Sequence, residues 1–398
     1  MRVVTKFGGT SLQDGRRIEK AADSIESLLE DGHQPIAVVS AMGDTTDQLL
    51  NEITFQTREQ DEDEIVSMGE RISARMLKAN LEGRGIKTKV YEPGNENWPI
   101  ITKEGDVLEE KTEKNVQSMK NGLEDKVPVV TGFLAEDLEG DTTTLGRGGS
   151  DTTAVMLGNY LDADKTIIVT DVEGVLTGNP SITESTHNVG EISVDELRDL
   201  SFKGAEVVSP ESLAYKQEEM DVSVVHYQEE DLLESGTSIE GEFNQIIKME
   251  EKRLSCVTVA GREINKTPGI IGKLSSDLKK EEINIQAIST GVDCVSFFIH
   301  QEDTEAAGKL LHNNVVEDEN LSSVTVDEDI AAIRVIVGEL PDRPGLIQDI
   351  IDPLAEQNIN IHEIVSSAST ITVFTTFEVR QQALNALQNN LGDQNGGD

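Results

Sequence analysis

Short apolar segments alternate with helix-like segments as far as about Phe243, and this alternation constrains the fold more than any other feature. The segments 2–6, 35–42, 127–134 and 165–171 contain consecutive apolar residues, rather than apolar residues at every second position. Strands of this kind are buried on both faces. Between them lie stretches with the apolar spacing of helices. The pattern predicts an α/β fold with a mostly parallel sheet sandwiched by helices.

The remainder of the chain contains an internal repeat. The segment 267–289, TPGIIGKLSSDLKKEEINIQAIS, resembles the segment 343–365, RPGLIQDIIDPLAEQNINIHEIV, and Pro268 corresponds to Pro344. Each copy reads as a strand, a Pro-Gly turn, a helix and a strand, followed by a second apolar strand and a closing helix. This order predicts two small α+β modules. The predicted boundaries are 1–245 for the α/β domain, 254–328 and 331–392 for the two modules, and 393–398 for a disordered tail.

The charge of the chain is strongly negative. It has 75 Asp and Glu against 34 Lys and Arg, a net charge of −41. Nucleic acids and anionic membranes need a basic face, so neither is expected as a partner. Salt screens the self-repulsion of such a surface, and we therefore expect a halophilic source, such as a halophilic archaeon.

Several features predict a cytoplasmic protein. Cys256 and Cys294 are the only cysteines, too few for a disulfide framework. No apolar run approaches the roughly 18 residues of a membrane span. The first ten residues, MRVVTKFGGT, lack the apolar core of a signal peptide.

The first glycine loop, KFGGTS (6–11), follows the first predicted strand. Gly8 and Gly9 allow close approach of a ligand to the backbone, whose N–H groups can form an anion nest. A helix predicted over Leu12–Leu29 starts just beyond the loop and adds its positive end. Lys6 supplies a compact charge suited to phosphate. The alternative is an ordinary strand–turn–helix connection with an incidental lysine.

A second glycine loop surrounds Arg147 in TTTLGRGGSDTTA, just before a helix predicted to begin at Ser150 or Asp151. A guanidinium can bind a carboxylate through two parallel hydrogen bonds. The alternative is a surface loop with an exposed arginine. Both loops follow strands, at the carboxyl edge where ligands of such sheets bind, which predicts a pair of anionic substrates.

A third loop, VTDVEGVLTGNP (169–180), begins at the end of a predicted strand that closes with Asp171. This carboxylate could hold Mg²⁺ or a ribose hydroxyl, although a turn aspartate is the commoner reading. The sequence has no GxxxxGK[ST], no HRD and DFG pair, and no CxxC or HExxH. These absences exclude P-loop enzymes, protein kinases and the usual zinc sites.

Five motifs together resemble the aspartate kinases of the amino-acid kinase family. They occur in the family's order over about 170 residues, and GRGGSD distinguishes aspartate kinases from relatives that act on glutamate or nucleotides. The C-terminal repeat resembles the paired ACT domains that carry feedback control in this family. The motifs are KFGGTSL (6–12), VVSAMGDTTDQLL (38–50), SMGERISA (67–74), TTTLGRGGSDTTA (142–154) and VTDVEGV (169–175).

The resemblance implies phosphorylation of the L-aspartate side chain by ATP, with Mg²⁺ entering with the nucleotide and no metal site of protein side chains. The product would be 4-phospho-L-aspartate, on the route to lysine, threonine and methionine. The residues implied to bind the nucleotide are Lys6, Phe7, Gly8, Gly9, Thr170 and Asp171. Those implied to bind aspartate are Ser40, Thr46, Glu70, Arg147, Gly148, Gly149 and Ser150. Lys6, Arg147 and Asp151 are implied to be catalytic.

The chain departs from the family pattern on the nucleotide side. Where the family has GVYTTDPR, this chain has GVLTGNPS, with Leu176, Asn179 and Ser181; where the family has GAKVLHP, this chain has GAEVVSP, with Glu206 and Ser209. These changes predict weaker nucleotide contacts beyond Asp171, unless another basic residue such as Lys203 substitutes. They also keep open a second hypothesis, a catalytically weak or inactive ACT-containing amino-acid sensor.

The paired ACT domains imply an amino-acid effector and a homo-oligomer formed through their sheets. An effector could bind in the notch beside the Pro-Gly turn, where backbone groups can take its charged ends. Lysine, threonine or no effector at all remain open. The candidate effector contacts are Asp277, Asn284, Gln286 and Ser289.

Overall fold

A computed structural model describes residues 1–123, 126–203, 205, 207–243, 247–336, 345–367 and 369–392. The chain divides into two units, Met1–Phe243 and Asn244–Asp398. Three features named above, Glu206, Pro344 and the predicted tail, lie outside the described residues. Within the described residues, no helix combines the length and the apolar character needed to cross a membrane.

The first unit is built on an eight-stranded sheet in the order β10-β12-β11-β9-β1-β2-β6-β3. Neighbouring strands are parallel except for the β11–β12 pair, and two small hairpins, β4–β5 and β7–β8, lie outside the sheet. The predicted α/β fold with a mostly parallel sheet is confirmed. The strands are β1 Arg2–Phe7, β2 Gln34–Val39, β3 Thr88–Tyr91, β4 Thr102–Lys103, β5 Asp106–Val107, β6 Val127–Thr131, β7 Leu134–Glu136, β8 Thr142–Thr144, β9 Lys165–Thr170, β10 Glu191–Ser193, β11 Asp221–His226 and β12 Thr237–Glu240.

Helices cover both faces of this sheet. Successive side chains of β1 point to opposite faces, so Val3 belongs to the core cluster that contains residues of α1 and α3, while Val4 belongs to the cluster that contains residues of α5. The contiguous stretch 149–158 of α5 is entirely buried, which explains its small and apolar composition. The helices are α1 Gly15–Glu30, α2 Thr45–Glu52, α3 Glu59–Gly83, α4 Glu109–Lys120, α5 Gly149–Tyr160 and α6 Val194–Phe202.

The first helix begins later than the sequence predicts. The periodic pattern starts at Leu12, but Thr10–Leu12 is a 3-10 turn and α1 starts at Gly15. The Asp14 side chain accepts hydrogen bonds from the N–H groups of Arg16 and Arg17, at 2.9 and 3.0 Å. This cap satisfies donors that the first turn leaves free and therefore fixes the start of the helix.

The second unit is an antiparallel sheet in the order β15-β16-β14-β17-β19-β18, with β13 beside β17. The 16-residue strand β17 belongs to both predicted modules, because its first half pairs with β14 and its second half pairs with β19. The Phe298 and Phe374 rings stack at 3.7 Å between the two modules. The strands are β13 Ile247–Met249, β14 Leu254–Gly261, β15 Ile285–Thr290, β16 Cys294–His300, β17 Leu321–Ile336, β18 Ile361–Ser366 and β19 Thr370–Thr376. The helices are α7 Ile270–Lys280, α8 Thr304–Glu317, α9 Leu346–Glu356 and α10 Arg380–Gly392.

Candidate active site

A cleft of about 400 Å³ lies at the carboxyl edge of the parallel sheet. Parallel strands end together at this edge, so their loops meet although they are far apart in the sequence. The described residues that line the cleft are Lys6, Ser40, Thr46, Asp47, Leu50, Glu70, Phe133, Gly146, Arg147, Gly148, Gly149, Ser150 and Asp151. The two glycine loops identified in the sequence therefore face one shared cavity.

The lysine of the first loop is held by a residue of the second. The Lys6 ammonium lies 2.6 Å from a carboxylate oxygen of Asp151, and the two side chains are only 12% and 11% exposed. The other Asp151 oxygen accepts a hydrogen bond from the Ser209 N–H at 3.1 Å. The ammonium is thus fixed at the floor of the cleft, at the first turn of α5.

The backbone of the first loop is tightly packed. The Gly8 N–H donates to the Val169 carbonyl at 3.1 Å. It is therefore not available to an anion, in contrast to the anion nest expected from the sequence. A Cβ at Gly9 would lie 3.0 Å from the carbonyl oxygens of Ala41 and Gly43, so a side chain here would be tightly confined. The Phe7 side chain is buried in the core, which leaves only its backbone for a ligand.

The second loop needs glycine for two separate reasons. Gly146 and Gly148 have φ values of +71° and +76°, which side chains rarely adopt. A Cβ at Gly148 would also lie 2.3 Å from the Cβ of Ser209. Arg147, between these glycines, is exposed, and in the described part of the chain its side chain forms no ion pair. A charged fork is therefore free at the mouth of the cleft.

Glu70 supplies an unpaired acceptor within the cleft. Its side chain is 2% exposed, and Oε1 accepts a hydrogen bond from the Ala41 N–H at 3.0 Å. Oε2 is buried without a hydrogen-bond partner among the described residues. Burial raises the pKa of this carboxyl to about 7. A buried oxygen of this kind fits a donor that arrives with a ligand, and an ammonium group would satisfy both its charge and its hydrogen bonding.

The remaining predicted aspartate contacts are neutral groups around the cleft. Ser40 follows β2, where its N–H donates to the Phe7 carbonyl at 3.1 Å. Thr46 is in the first turn of α2, and Ser150 is in the first turn of α5. Each side chain lines the cavity, so each can donate or accept a hydrogen bond with a bound ligand.

The predicted nucleoside contacts lie at the same edge but outside the lining of this cleft. Thr170 ends β9 next to β1, and its carbonyl accepts the Tyr227 N–H at 2.8 Å. Asp171 follows the strand instead of closing it. The Asn179 side chain accepts two hydrogen bonds from Ser181 at 2.9 and 2.7 Å. These two departures from the family pattern therefore form a local turn.

The described residues contain no cluster of three or more His, Cys, Asp or Glu that could hold a metal ion. Mg²⁺ usually keeps several waters and is bound by one or two carboxylates together with substrate phosphates. The cleft offers Asp47 and Asp151, and Asp151 already binds Lys6. This donor set fits Mg²⁺ that is carried mainly by a nucleotide, not held in a cage of protein side chains.

Comparisons with known proteins agree with this geometry. The amino acid kinase family profile matches residues 1–226, and ACT domain profiles match residues 257–315 and 333–393. An aspartokinase from Bacillus sp. (strain MGA3) is 31% identical over 397 residues, which cover 95% of this chain and 94% of the relative. The chain belongs to the aspartokinases of the amino acid kinase family.

Solved aspartokinase structures share the fold. The aspartate kinase from Synechocystis superposes with a TM-score of 0.82 at 25% identity, covering 98% of this chain and 69% of that chain. Structures of E. coli aspartokinase III in complex with aspartate and ADP, or with lysine and aspartate, have TM-scores of 0.54 and 0.53 at 22% identity. Both cover 98% of this chain, and 100% and 99% of theirs.

The candidate effector contacts of this aspartokinase are distributed over separate parts of the first ACT domain. Asp277, on α7, forms an ion pair with Lys280 at 2.6 Å. Asn284 is exposed just before β15, and Ser289 lies on that strand. Among the described residues, no hydrogen bond or ion pair joins any two of the four candidates.

Gln286 differs from the other candidates, because it connects the two ACT domains. Its side-chain nitrogen lies 3.2 Å from His300 Nε2 on the neighbouring strand. Its side-chain oxygen accepts a hydrogen bond of 3.5 Å from Arg334 in the second half of β17. Arg334 also lies 3.5 Å from a Glu250 carboxylate oxygen. Gln286 therefore contacts side chains of both ACT domains.

Four residues of the aspartokinase cleft are absent from the sequence-based assignment. Leu50 lies one helical turn after Thr46 on α2, a spacing that could have identified it, and Asp47 directly follows Thr46. Phe133 follows the carboxyl end of β6, the edge of a parallel sheet where ligands bind, so its position could have been predicted. Its φ is +67°. Gly146 directly precedes Arg147 and belongs to the same glycine loop.

Proposed function

We propose that the protein transfers the γ-phosphoryl group of ATP to the side-chain carboxylate of L-aspartate, giving 4-phospho-L-aspartate and ADP. The observation that carries this proposal is the presence of Lys6 and Arg147 in one cleft. Two separate cations suit two anionic reactants that must be brought together. Membership of the aspartokinases supports the choice of aspartate and ATP.

Aspartate would bind at the mouth of the cleft. The free Arg147 guanidinium matches its α-carboxylate through paired hydrogen bonds, and the unpaired Glu70 oxygen matches its ammonium. The hydroxyl groups of Ser40, Thr46 and Ser150 provide neutral donors. Gly148 and Gly149 leave room for the substrate beside the start of α5. This arrangement directs the substrate side chain toward the floor of the cleft.

The nucleotide would bind along the first glycine loop. Lys6 and the backbone at Phe7 and Gly9 would contact the phosphates, and Gly8, whose N–H is bound to Val169, would only allow their close approach. Thr170 and Asp171 would contact the nucleoside part. The family departures at Leu176 and Ser209 make the base and ribose contacts the weakest part of this assignment. Mg²⁺ bound with ATP would neutralise phosphate charge, and Asp47 or Asp151 could contribute one carboxylate to it.

The reaction needs no catalytic base. The aspartate side chain has an ordinary pKa of about 4 and is already ionised near neutral pH. One of its oxygens forms a bond to the γ-phosphorus, the bond from that phosphorus to the bridging oxygen breaks, and ADP leaves with the electron pair. Lys6 offsets the charge of the transferring group, and Asp151 keeps its ammonium in position. Catalysis then consists of placing the two reactants together and stabilising the charge of the transferring group.

Several finer assignments accompany this proposal. The product would feed lysine, threonine and methionine synthesis in the cytoplasm of a halophilic organism, in agreement with the net charge of −41. The kinase domain would span 1–245, and the ACT domains 254–328 and 331–392. The ACT sheets would join subunits into a homo-oligomer.

Lysine is the first effector to test, because E. coli aspartokinase III was solved with it, and threonine is the second.

A coupled assay of ADP release tests the proposal. The protein is supplied with Mg-ATP and L-aspartate across KCl concentrations up to molar levels, and L-glutamate replaces aspartate as the matched control. Lysine and threonine are then added in turn. We expect aspartate-dependent ADP release with little release on glutamate. A folded protein without release at any salt concentration would instead support the inactive amino-acid sensor.

A further inference from the structure

Two neighbouring rings lie at the carboxyl edge of the parallel sheet, beside β9. His226 is the last residue of β11, and Tyr227 follows it. Their ring centroids are 4.6 Å apart, and the ring planes are inclined by 45°. Both side chains are half-buried, so each remains partly accessible at the edge where ligands of parallel sheets bind.

The strand register places the His226 side chain on the same face of the sheet as Lys6. His226 pairs with Thr170, and Lys6 pairs with Ile168. Paired residues of neighbouring strands, and residues two apart in one strand, point to the same face, so Lys6, Thr170 and His226 share one face. With about 4.8 Å between strands and about 3.3 Å per residue, the Cα atoms of Lys6 and His226 are roughly 12 Å apart. A nucleoside triphosphate whose phosphates contact Lys6 is long enough to bring its base to His226.

The segment that follows Asp171 leads toward His226. The Val175 N–H in this segment donates to the Thr237 hydroxyl at 2.9 Å. Thr237 is the first residue of β12 and pairs with Val224, two residues before His226. The segment after Asp171 is thus anchored beside the end of β11. A nucleoside bound at Asp171 therefore lies close to the imidazole.

Neighbouring groups hold this imidazole in place. The Gln228 N–H donates to His226 Nδ1 at 3.3 Å, so the neutral ring carries its hydrogen on Nε2. Tyr227 packs against the core cluster that contains residues of α1, and the Arg17 guanidinium lies 4.4 Å from the centroid of its ring. A ring that is already positioned loses little entropy when a ligand binds.

One departure from the family pattern removes an aromatic ring on the nucleotide side. Leu176 stands where the pattern has a tyrosine. Nucleobases stack on the faces of aromatic side chains, including histidine. An imidazole at the end of β11 can therefore supply the flat surface that Leu176 lacks.

We propose that the face of the His226 imidazole binds the base of the nucleotide. This inference rests on the proposed function, because it adds a base contact to the ATP site at this edge of the sheet. The phosphates contact Lys6, the ribose lies beside Thr170 and Asp171, and the base packs on the imidazole. His226 then contributes to the affinity for the nucleoside part and not to the binding of phosphate or aspartate.

Calorimetric titration of the full-length chain tests this contact, at a KCl concentration that keeps the protein folded. The two ligands are Mg-ATP and Mg-tripolyphosphate, which has the same row of phosphates without a nucleoside. His226→Ala should weaken Mg-ATP binding at least about tenfold and leave the affinity for tripolyphosphate unchanged. Lys6→Ala should weaken both ligands, because it acts on the phosphates.

Matched variants separate stacking from other effects of the substitution. His226→Phe keeps an aromatic face and should retain most of the affinity for Mg-ATP. His226→Asn keeps a polar side chain without a ring and should lose affinity as His226→Ala does. His33→Ala removes another half-buried histidine, which directly precedes β2 at the opposite edge of the same sheet, and should leave both affinities unchanged.

Three results would overturn the His226 contact. They are an unchanged affinity for Mg-ATP in His226→Ala, equal losses for Mg-ATP and tripolyphosphate, and affinity that is kept in His226→Asn but lost in His226→Phe. A wild-type protein that binds Mg-ATP with the expected pattern but releases no ADP with aspartate would contradict the proposed function and leave the His226 contact standing. A wild-type protein that does not bind Mg-ATP would overturn both.

Discussion

The Lys6 ammonium lies 2.6 Å from an Asp151 carboxylate oxygen, and this ion pair joins the first strand of the sheet to the first turn of α5. Both side chains are about nine-tenths buried, so water screens the pair only weakly. The lysine is therefore held at the floor of the cleft before any substrate arrives. A group that is already in position loses little entropy in a reaction, so this geometry suits the proposed role of Lys6.

Replacement of Lys6 by alanine should lower kcat about 10²–10³-fold, because a developing charge loses its stabilising partner. The KM for aspartate should change much less. Asp151 would be left buried without its cation, so the free energy of unfolding should fall by about 1–3 kcal/mol. Steady-state kinetics and denaturant unfolding measure the two effects. The double variant Lys6→Ala/Asp151→Asn should recover the stability but not the turnover. A kcat of the Lys6→Ala single variant within threefold of wild type would show that Lys6 has no role in the mechanism.

Replacement of Arg147 by lysine should raise the KM for aspartate at least about tenfold, because an ammonium cannot form the paired hydrogen bonds of a guanidinium. The effect on kcat should be smaller. Arg147 is exposed, so the melting temperature should stay the same. Arg16→Lys, an exposed change in α1, is the matched control. An unchanged KM in Arg147→Lys would show that the α-carboxylate binds elsewhere.

Glu70 gives the stability a distinctive pH dependence. Burial raises the pKa of this carboxyl from 4.5 to about 7 in the folded state. Below pH 4.5 it is neutral in both states, whereas between those values it ionises in the unfolded chain first. The free energy of unfolding should therefore fall by about 3 kcal/mol as the pH rises through this range. The Glu70→Gln variant should lack this part of the pH dependence. If denaturant unfolding gave the wild type and the variant the same change in the free energy of unfolding with pH, the prediction would be contradicted.

The same carboxyl should control aspartate binding. If ionised Glu70 holds the substrate ammonium, the KM for aspartate should fall about tenfold between pH 6 and pH 8, as the ionised fraction increases. The Glu70→Gln enzyme should have a higher KM with little pH dependence. Initial rates at fixed saturating Mg-ATP measure this effect. A wild-type KM that is constant over the same range would assign the ammonium to another group.

The sequence predicts the order of elements and the parallel sheet well, because strands buried on both faces contain consecutive apolar residues. It also predicts that the two glycine loops meet, since both follow strands of one parallel sheet. The start of α1 is misplaced, because the cap at Asp14 overrides the apolar pattern that begins at Leu12. Local capping chemistry is harder to read from a sequence than periodicity.

Tertiary packing explains the parts of the site that the sequence alone leaves open. Glu70 lies in a helix rich in charged residues and looks solvated, yet its side chain is 2% exposed. Gly69 allows this burial, since a Cβ there would lie 2.7 Å from the Cβ of Ala41. The Lys6–Asp151 pair likewise depends on the docking of α5 against β1. No local pattern encodes such long-range distances.

Gly148 has a left-handed backbone and also lies close to Ser209. Different substitutions test these two features separately. Gly148→Ala would bring a Cβ to 2.3 Å from the Cβ of Ser209, at a φ of +76°. The clash would displace either Arg147 or the Ser209 N–H that holds Asp151, so kcat/KM for aspartate should fall about 10²-fold. Gly94→Ala is the control, since its φ is +88° and its Cβ would meet nothing within 4 Å.

The control should lose stability through backbone strain, by about 1–2 kcal/mol, and keep its kinetics. Gly148→Ala combined with Ser209→Gly removes the clash but keeps the strain, so it should recover part of the lost kcat/KM. Recovery would assign the defect to the contact between the glycine loop and Ser209, and would identify the serine at this departure from the family pattern as a positioning residue. If Gly148→Ala and Gly94→Ala had the same kinetics, the close approach would have no role in catalysis.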